Sequence, residues 1–164
     1  MKSTLAFFAG LLLAGCVSIQ QIRDENPKTA AEVTARTGPN QDKFSNGKTI
    51  FSPTFVMTSG KVHLILSLVK FDDGEISLRC VAVQSEWAFY EFASTLGGRV
   101  LPTRALDRQV FSAEVLNETV AVTLTKNDLA NPEGLPLKLF GKRGQVEFTV
   151  PGFFIEGFRL GAGI

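Results

Sequence analysis

From Gly47 onward, apolar and polar residues alternate with a period of two, the signature of half-buried strands. Val62, Leu64, Leu66 and Leu68 alternate with His63, Ile65, Ser67 and Val69. Ile76, Leu78, Cys80 and Ala82 alternate with Ser77, Arg79, Val81 and Val83. Asp72-Asp73-Gly74 lies between these runs and predicts a hairpin. Thr49–Met57 reads as a strand that Pro53 confines to an edge or a bulge. Trp87–Ser94 reads as an aromatic-rich strand, with Gly97-Gly98 turning it toward Arg99–Leu101. Gln109–Phe111, Thr119–Leu124, Leu135–Leu139 and Val146–Val150 complete the series. Thr125 and Asp128 have the spacing of a cap and its acidic partner, predicting one helical turn over 126–130. Pro151 can open a short C-terminal helix whose inner face carries Phe154, Ile155 and Phe158. Seven to nine short strands with one terminal helix predict a mainly all-β domain, an antiparallel sandwich or partly open barrel.

The front of the chain follows other rules. Leu5–Ala14 is an apolar run of ten residues behind Lys2. A bilayer span needs about 20 residues, so this run fits the core of an export signal instead. Residues 17–45 are mostly polar and contain Pro27, Pro39 and Gly38. They predict a flexible tether averaging about 30 Å end to end. Within it, Lys28–Arg36 can form two or three helical turns capped by Thr29, with a thin apolar face of Ala30 and Val33. The expected organisation is a signal at 1–15, Cys16 and a tether over 16–45, and a β-sandwich over 46–164.

The apolar run ends in Leu13-Ala14-Gly15-Cys16. This resembles the lipobox of bacterial lipoproteins. The resemblance implies cleavage before Cys16, a diacylated thiol and an acylated new amine. Two or three acyl chains hold firmly where one holds only reversibly. Val17 stands where an Asp would imply inner-membrane retention, so the resemblance implies the outer membrane, with the domain facing the periplasm. The stretch from Trp87 to Phe158 is also similar to a group of bacterial lipoproteins with no assigned activity. The shared features are W-A-F-Y, Asp107-Arg108, the G-K-R-G loop and the closing segment Pro151–Phe158. That group supplies no catalytic residues to carry over.

Composition narrows the chemistry. The 164 residues carry 17 basic and 16 acidic side chains, so no counterion-release term favours nucleic acid. One His and two Cys leave little for metal or acid–base work, and no cofactor or metal is expected. Cleavage before Cys16 leaves Cys80 as the only other cysteine, with no intramolecular disulfide, and its strand face marks it as core. His63 lies mid-strand and reads as structural. Asp72, Asp73 and Glu75 read as turn chemistry rather than a calcium loop. Lys138, Lys142 and Arg143 form one basic group and Arg99, Arg104 and Arg108 another; both read as solvated faces.

Trp87, Phe89, Tyr90 and Phe92 are the candidate binding surface. Strict alternation puts Trp87 and Phe89 on one face, Tyr90 and Phe92 on the other. The favoured expectation covers both faces, one by the opposing sheet and one by the C-terminal helix. The functional expectation is a lipid-anchored envelope protein that binds or scaffolds without catalysis, its partner an envelope protein or a glycan. Two alternatives stand beside it. One is an inhibitor of a periplasmic hydrolase. The other is a hydrolase using Glu86 and Glu91, which requires both carboxylates in one cleft.

Overall fold

The computed structural model describes residues 18–45, 47–112 and 114–164. The signal at 1–15 and Cys16 lie outside the described residues. Helix α1 (Ile19–Asp24) opens with a capping box between Ser18 and Gln21. Helix α2 (Ala30–Arg36) is capped by Thr29, whose side chain accepts from the Glu32 N–H. Strand β1 (Gly38–Asn40) pairs with β2 (Thr49–Phe51). Strands β3 (Phe55–Ser59), β4 (Val62–Phe71) and β5 (Ile76–Gln84) follow. Then come β6 (Tyr90–Thr95), β7 (Val100–Leu101), β8 (Thr103–Ser112) and β9 (Val115–Leu124). Strands β10 (Gly134–Gly141) and β11 (Gln145–Pro151) lead into helix α3 (Gly152–Ala162). Among the described residues, no helix is long and apolar enough to cross a membrane.

The strands form two antiparallel sheets. The larger has the order β1-β2-β4-β5-β9-β8, with β3 also on β4; the smaller runs β11-β10-β6-β7. This is the expected antiparallel β-sandwich. Among the described residues it has eleven strands rather than nine at most, for two local reasons. Pro53 lacks an N–H and divides 49–57 into β2 and β3, which pair with opposite ends of β4. Strand β1 lies in the supposed tether, whereas the two-residue β7 is the expected strand at Arg99–Leu101. Strand β8 is ten residues long where three were expected, because its exposed edge carries no apolar alternation.

The core fills the gap between the sheets. Leu64, Leu66 and Leu68 of β4 lie beside Ala82, Cys80 and Leu78 of β5, and β9 adds Val120 and Val122. Leu135, Leu137 and Leu139 pair with Val150, Phe148 and Val146 on the opposing sheet. Phe154, Ile155 and Phe158 of α3 are buried in the same cluster, as expected. Each contributes about 2 kcal/mol of burial, which outweighs the roughly 1 kcal/mol that a helical glycine costs. The glycines of α3 have a packing role. A β-carbon at Gly157 would collide with Ala30 and Val33, and one at Gly161 with Thr37. Their absence lets α2 lie directly on α3.

That contact corrects the tether. Residues 18–45 are folded onto the sandwich: Val33 is fully buried between α2 and the core, and Ile22 is buried. Asn26 bonds both the N–H and the C=O of Val56, acting as a surrogate strand on the free edge of β3. The apolar face of α2 is indeed thin, but one valine suffices when glycines admit it so closely.

Candidate functional site

The aromatic segment splits in an unexpected way. The ladder begins at Tyr90 rather than Trp87, and Phe89 has φ +59°. For a bulky residue this left-handed conformation costs about 1–3 kcal/mol. The stabilising group is Glu118 of β9, only 1 % exposed and pointing into the core-facing side of the large sheet. Its Oε1 accepts from the N–H groups of Ala88 (2.7 Å) and Phe89 (3.0 Å) and from Gln84 Nε2 (2.9 Å). Its Oε2 accepts from the Tyr90 N–H (3.0 Å) and Arg108 Nε (3.3 Å). Bonds to a charged group contribute about 1.5–3 kcal/mol each, so together they outweigh the strain.

Tyr90 is buried, and its hydroxyl donates to Gln84 Oε1 at 3.2 Å. Burial and the Glu118 charge push its phenol up to about 12. Phe92, expected on the same face, is 60 % exposed. The cause is a register shift: Gly141 pairs with Tyr90 but Phe140 with Phe92, so β6 gains a residue and the alternation inverts. Nor does α3 cover Phe92, because it packs against α2 instead. Trp87 and Phe89 are half-buried, their rings 6.0 Å apart. The guanidiniums of Arg108 and Arg143 lie 5.2 and 5.4 Å from the Phe89 ring centre. The four aromatics therefore form no single surface.

The other sequence candidates also disperse. Glu86 is exposed, and Glu91 pairs with Lys142 at 3.1 Å. Neither lines the cavity described below. His63 Nδ1 lies 2.9 Å from Thr58 Oγ1 across the β3–β4 ladder. Cys80 is fully buried, and burial pushes its thiol up to about 12. Among the described residues no group of three His, Cys, Asp or Glu side chains could hold a metal. Of the basic groups, Lys138 pairs with Glu147, Arg99 with Asp128 and Arg108 with Glu118.

A concavity lies elsewhere, on the outer face of the large sheet. Residues 41–45, between β1 and β2, cross that face as a strap. Asp42 pairs with Arg79 of β5 and Lys43 reaches Asp107 of β8 at 3.4 Å. The Phe44 ring lies 5.3 Å from the Arg79 guanidinium, and Phe71 flanks it at 5.7 Å. Beside the strap is a cavity of about 430 Å3. Ile65, Val81 and Thr119 form its floor, with Arg79 and Asn117 among its polar lining and Phe111 at its β8 side.

Arg79 is 6 % exposed, and burial lowers its pKa, with Asp42 opposing the shift. A guanidinium stays charged under any such shift. Among the described residues only Nη2 has a protein partner; Nε and Nη1, both buried, have none, and neither does the buried side-chain oxygen of Asn117. Each buried polar group left without a partner costs about 1–3 kcal/mol. The sequence signal for this site was slight: Arg79 and Asp42 are separated by 37 positions. A charged residue amid β5, on an outer face otherwise holding Ser77, Val81 and Val83, was its only trace. Compared with protein-family models, curated proteins and solved structures, the chain matches none.

Proposed function

We propose that this chain is a lipid-anchored protein of the bacterial outer membrane, whose sandwich faces the periplasm and binds a ligand without catalysis. The observation that carries the anchor is the apolar run ending in Leu13-Ala14-Gly15-Cys16. The described residues begin at Ser18, and two chain steps from Cys16 can span at most about 7 Å. The anchor therefore holds the domain against the headgroups, not at the end of a long tether. The cavity under the strap favours binding over pure scaffolding, since its size falls in the range of about 300–1,000 Å3 typical of ligand sites. The non-catalytic reading is supported by the burial of Cys80 and by the separation of His63, Glu86 and Glu91 from the cavity.

The experiment is radiolabelled palmitate incorporation in cells making the wild-type chain or a Cys16→Ser variant. The expected outcome is label in the wild type alone, recovered with outer membranes. Equal labelling of the two proteins would refute the anchor.

A further inference from the structure

We propose that one end of the sandwich rests on a zwitterionic phospholipid surface, with Val110 and Val115 of the β8–β9 hairpin inserted among the headgroups. This rests on the lipid-anchored reading and gives the anchored domain its orientation. The strand registers define that end. Ser59, Val62, Gln84, Leu116 and Val110 lie in one row across β3, β4, β5, β9 and β8. The Arg143 N–H donates to the Ala88 C=O at 3.0 Å, which brings the 141–144 loop of the small sheet to the same end.

The first observation is where the anchor meets the fold. Asn26 bonds Val56, and Arg23 reaches Thr58, two positions nearer the β3–β4 turn. Helix α1 therefore runs antiparallel to β3, and its start at Ser18 points toward that turn. Cys16 is two chain steps from Ser18, at most about 7 Å, so acyl chains in a bilayer draw this end to the headgroups.

The second observation is apolar surface at the same end. Val110 is 67 % and Val115 37 % exposed, while their neighbour Leu116 is buried. From Ser59 to Val110 the row crosses four strand spacings, about 19 Å. The acyl chains thus hold the β3 corner, and the hairpin meets the surface at the β8 corner. Once the first point is held, the second acts at high effective concentration, so a shallow insertion suffices. Trp87 lies between the two, in the segment joining Gln84 to the Glu118-bound Ala88 N–H. It is half-buried, and an indole suits the boundary between apolar and polar layers.

Charge selects the lipid. On the turns at this end, Lys61 and Arg143 are balanced by Glu86 and Glu114, and Lys142 pairs with Glu91 at 3.1 Å. No excess of cations draws an anionic surface, so the contact is apolar and insensitive to salt.

The chain contains one tryptophan, so Trp87 reports the contact without labelling. The acylated full chain is diluted from detergent onto phosphatidylcholine vesicles whose acyl chains are brominated close to the headgroup. Relative to unbrominated vesicles, Trp87 emission should fall by about a third or more, as for an indole at the interface. Val110→Asp, alone or with Val115→Asp, should remove this loss while the protein still floats with the vesicles. Both side chains are exposed, so the melting temperature should stay within a few degrees. Leu96→Asp, equally exposed but on the far side of the small sheet beside Pro136, should leave the quenching unchanged. Flotation of the wild type without quenching overturns the proposal, as does quenching that survives in Val110→Asp/Val115→Asp or disappears in Leu96→Asp. Failure of the wild type to float overturns the anchor reading and this contact with it, so the two failures are told apart.

Discussion

Glu118 and Arg79 are both buried charges on one sheet, pointing to opposite faces. Glu118 receives five hydrogen bonds and is fully used by the protein, holding three successive N–H groups of the 88–90 turn. Among the described residues Arg79 has one hydrogen-bond partner, Asp42, and two buried nitrogens left over. The satisfied charge builds structure: it fixes an improbable backbone and joins the two sheets. The under-satisfied charge lies beside a cavity with two of its nitrogens buried and unpartnered. Burial alone does not tell a completed charge from an incomplete one; the bonding partners do.

Three measurements press on this contrast. The largest effect is expected for Glu118→Leu. It orphans the N–H groups of Ala88, Phe89 and Tyr90 and removes the partner of Arg108, so chemical denaturation should show a loss of about 3–5 kcal/mol. A loss below about 1 kcal/mol would mean the turn at Phe89 holds itself.

The second is alkaline. Cys80 and Tyr90, on the Glu118 side, are both held protonated, each with its pKa raised to about 12. The unfolded chain loses these protons from about pH 9–10. Their contribution is therefore complete below pH 9 and lost as pH rises toward 12, amounting to about 4 kcal/mol for Cys80. Stability should fall across that window, and Cys80→Ala should flatten the fall. An unchanged slope in that variant would remove the thiol from the account.

The smallest effect is expected for Arg79→Met. It removes two unmatched donors together with one ion pair, and Asp42 keeps the N–H of Phe44 at 3.1 Å. The loss should be about 1–2 kcal/mol in the same denaturation assay. A loss equal to that of Glu118→Leu would erase the distinction between the two charges.

Local signals in the chain were read successfully where the structure depends on neighbours. Asp72-Asp73-Gly74 turns β4 into β5, and Thr29 caps α2. The inner face of α3 is the one its spacing indicated. The strand alternation failed at Phe92, where one bulged residue inverts the faces beyond it. The tether failed because its burial depends on Gly157 and Gly161, more than a hundred positions away. Neither charge site was legible. Glu118 meets its backbone partners 28 to 30 positions upstream, and composition carries no trace of such pairings.

Periodicity, turn residues and caps act over a few neighbours, so the primary structure alone determined most of the strands, the β4–β5 hairpin and the mainly antiparallel all-β class of the domain. Its first sixteen residues likewise carry the export and acylation expectation without help from any fold. Which charges are buried, which of them are completed, and where the surface opens into a cavity depend on contacts across dozens of positions. Only the packed sheets and the strap decided these, because hydrogen-bond saturation is a property of a three-dimensional neighbourhood rather than of a residue.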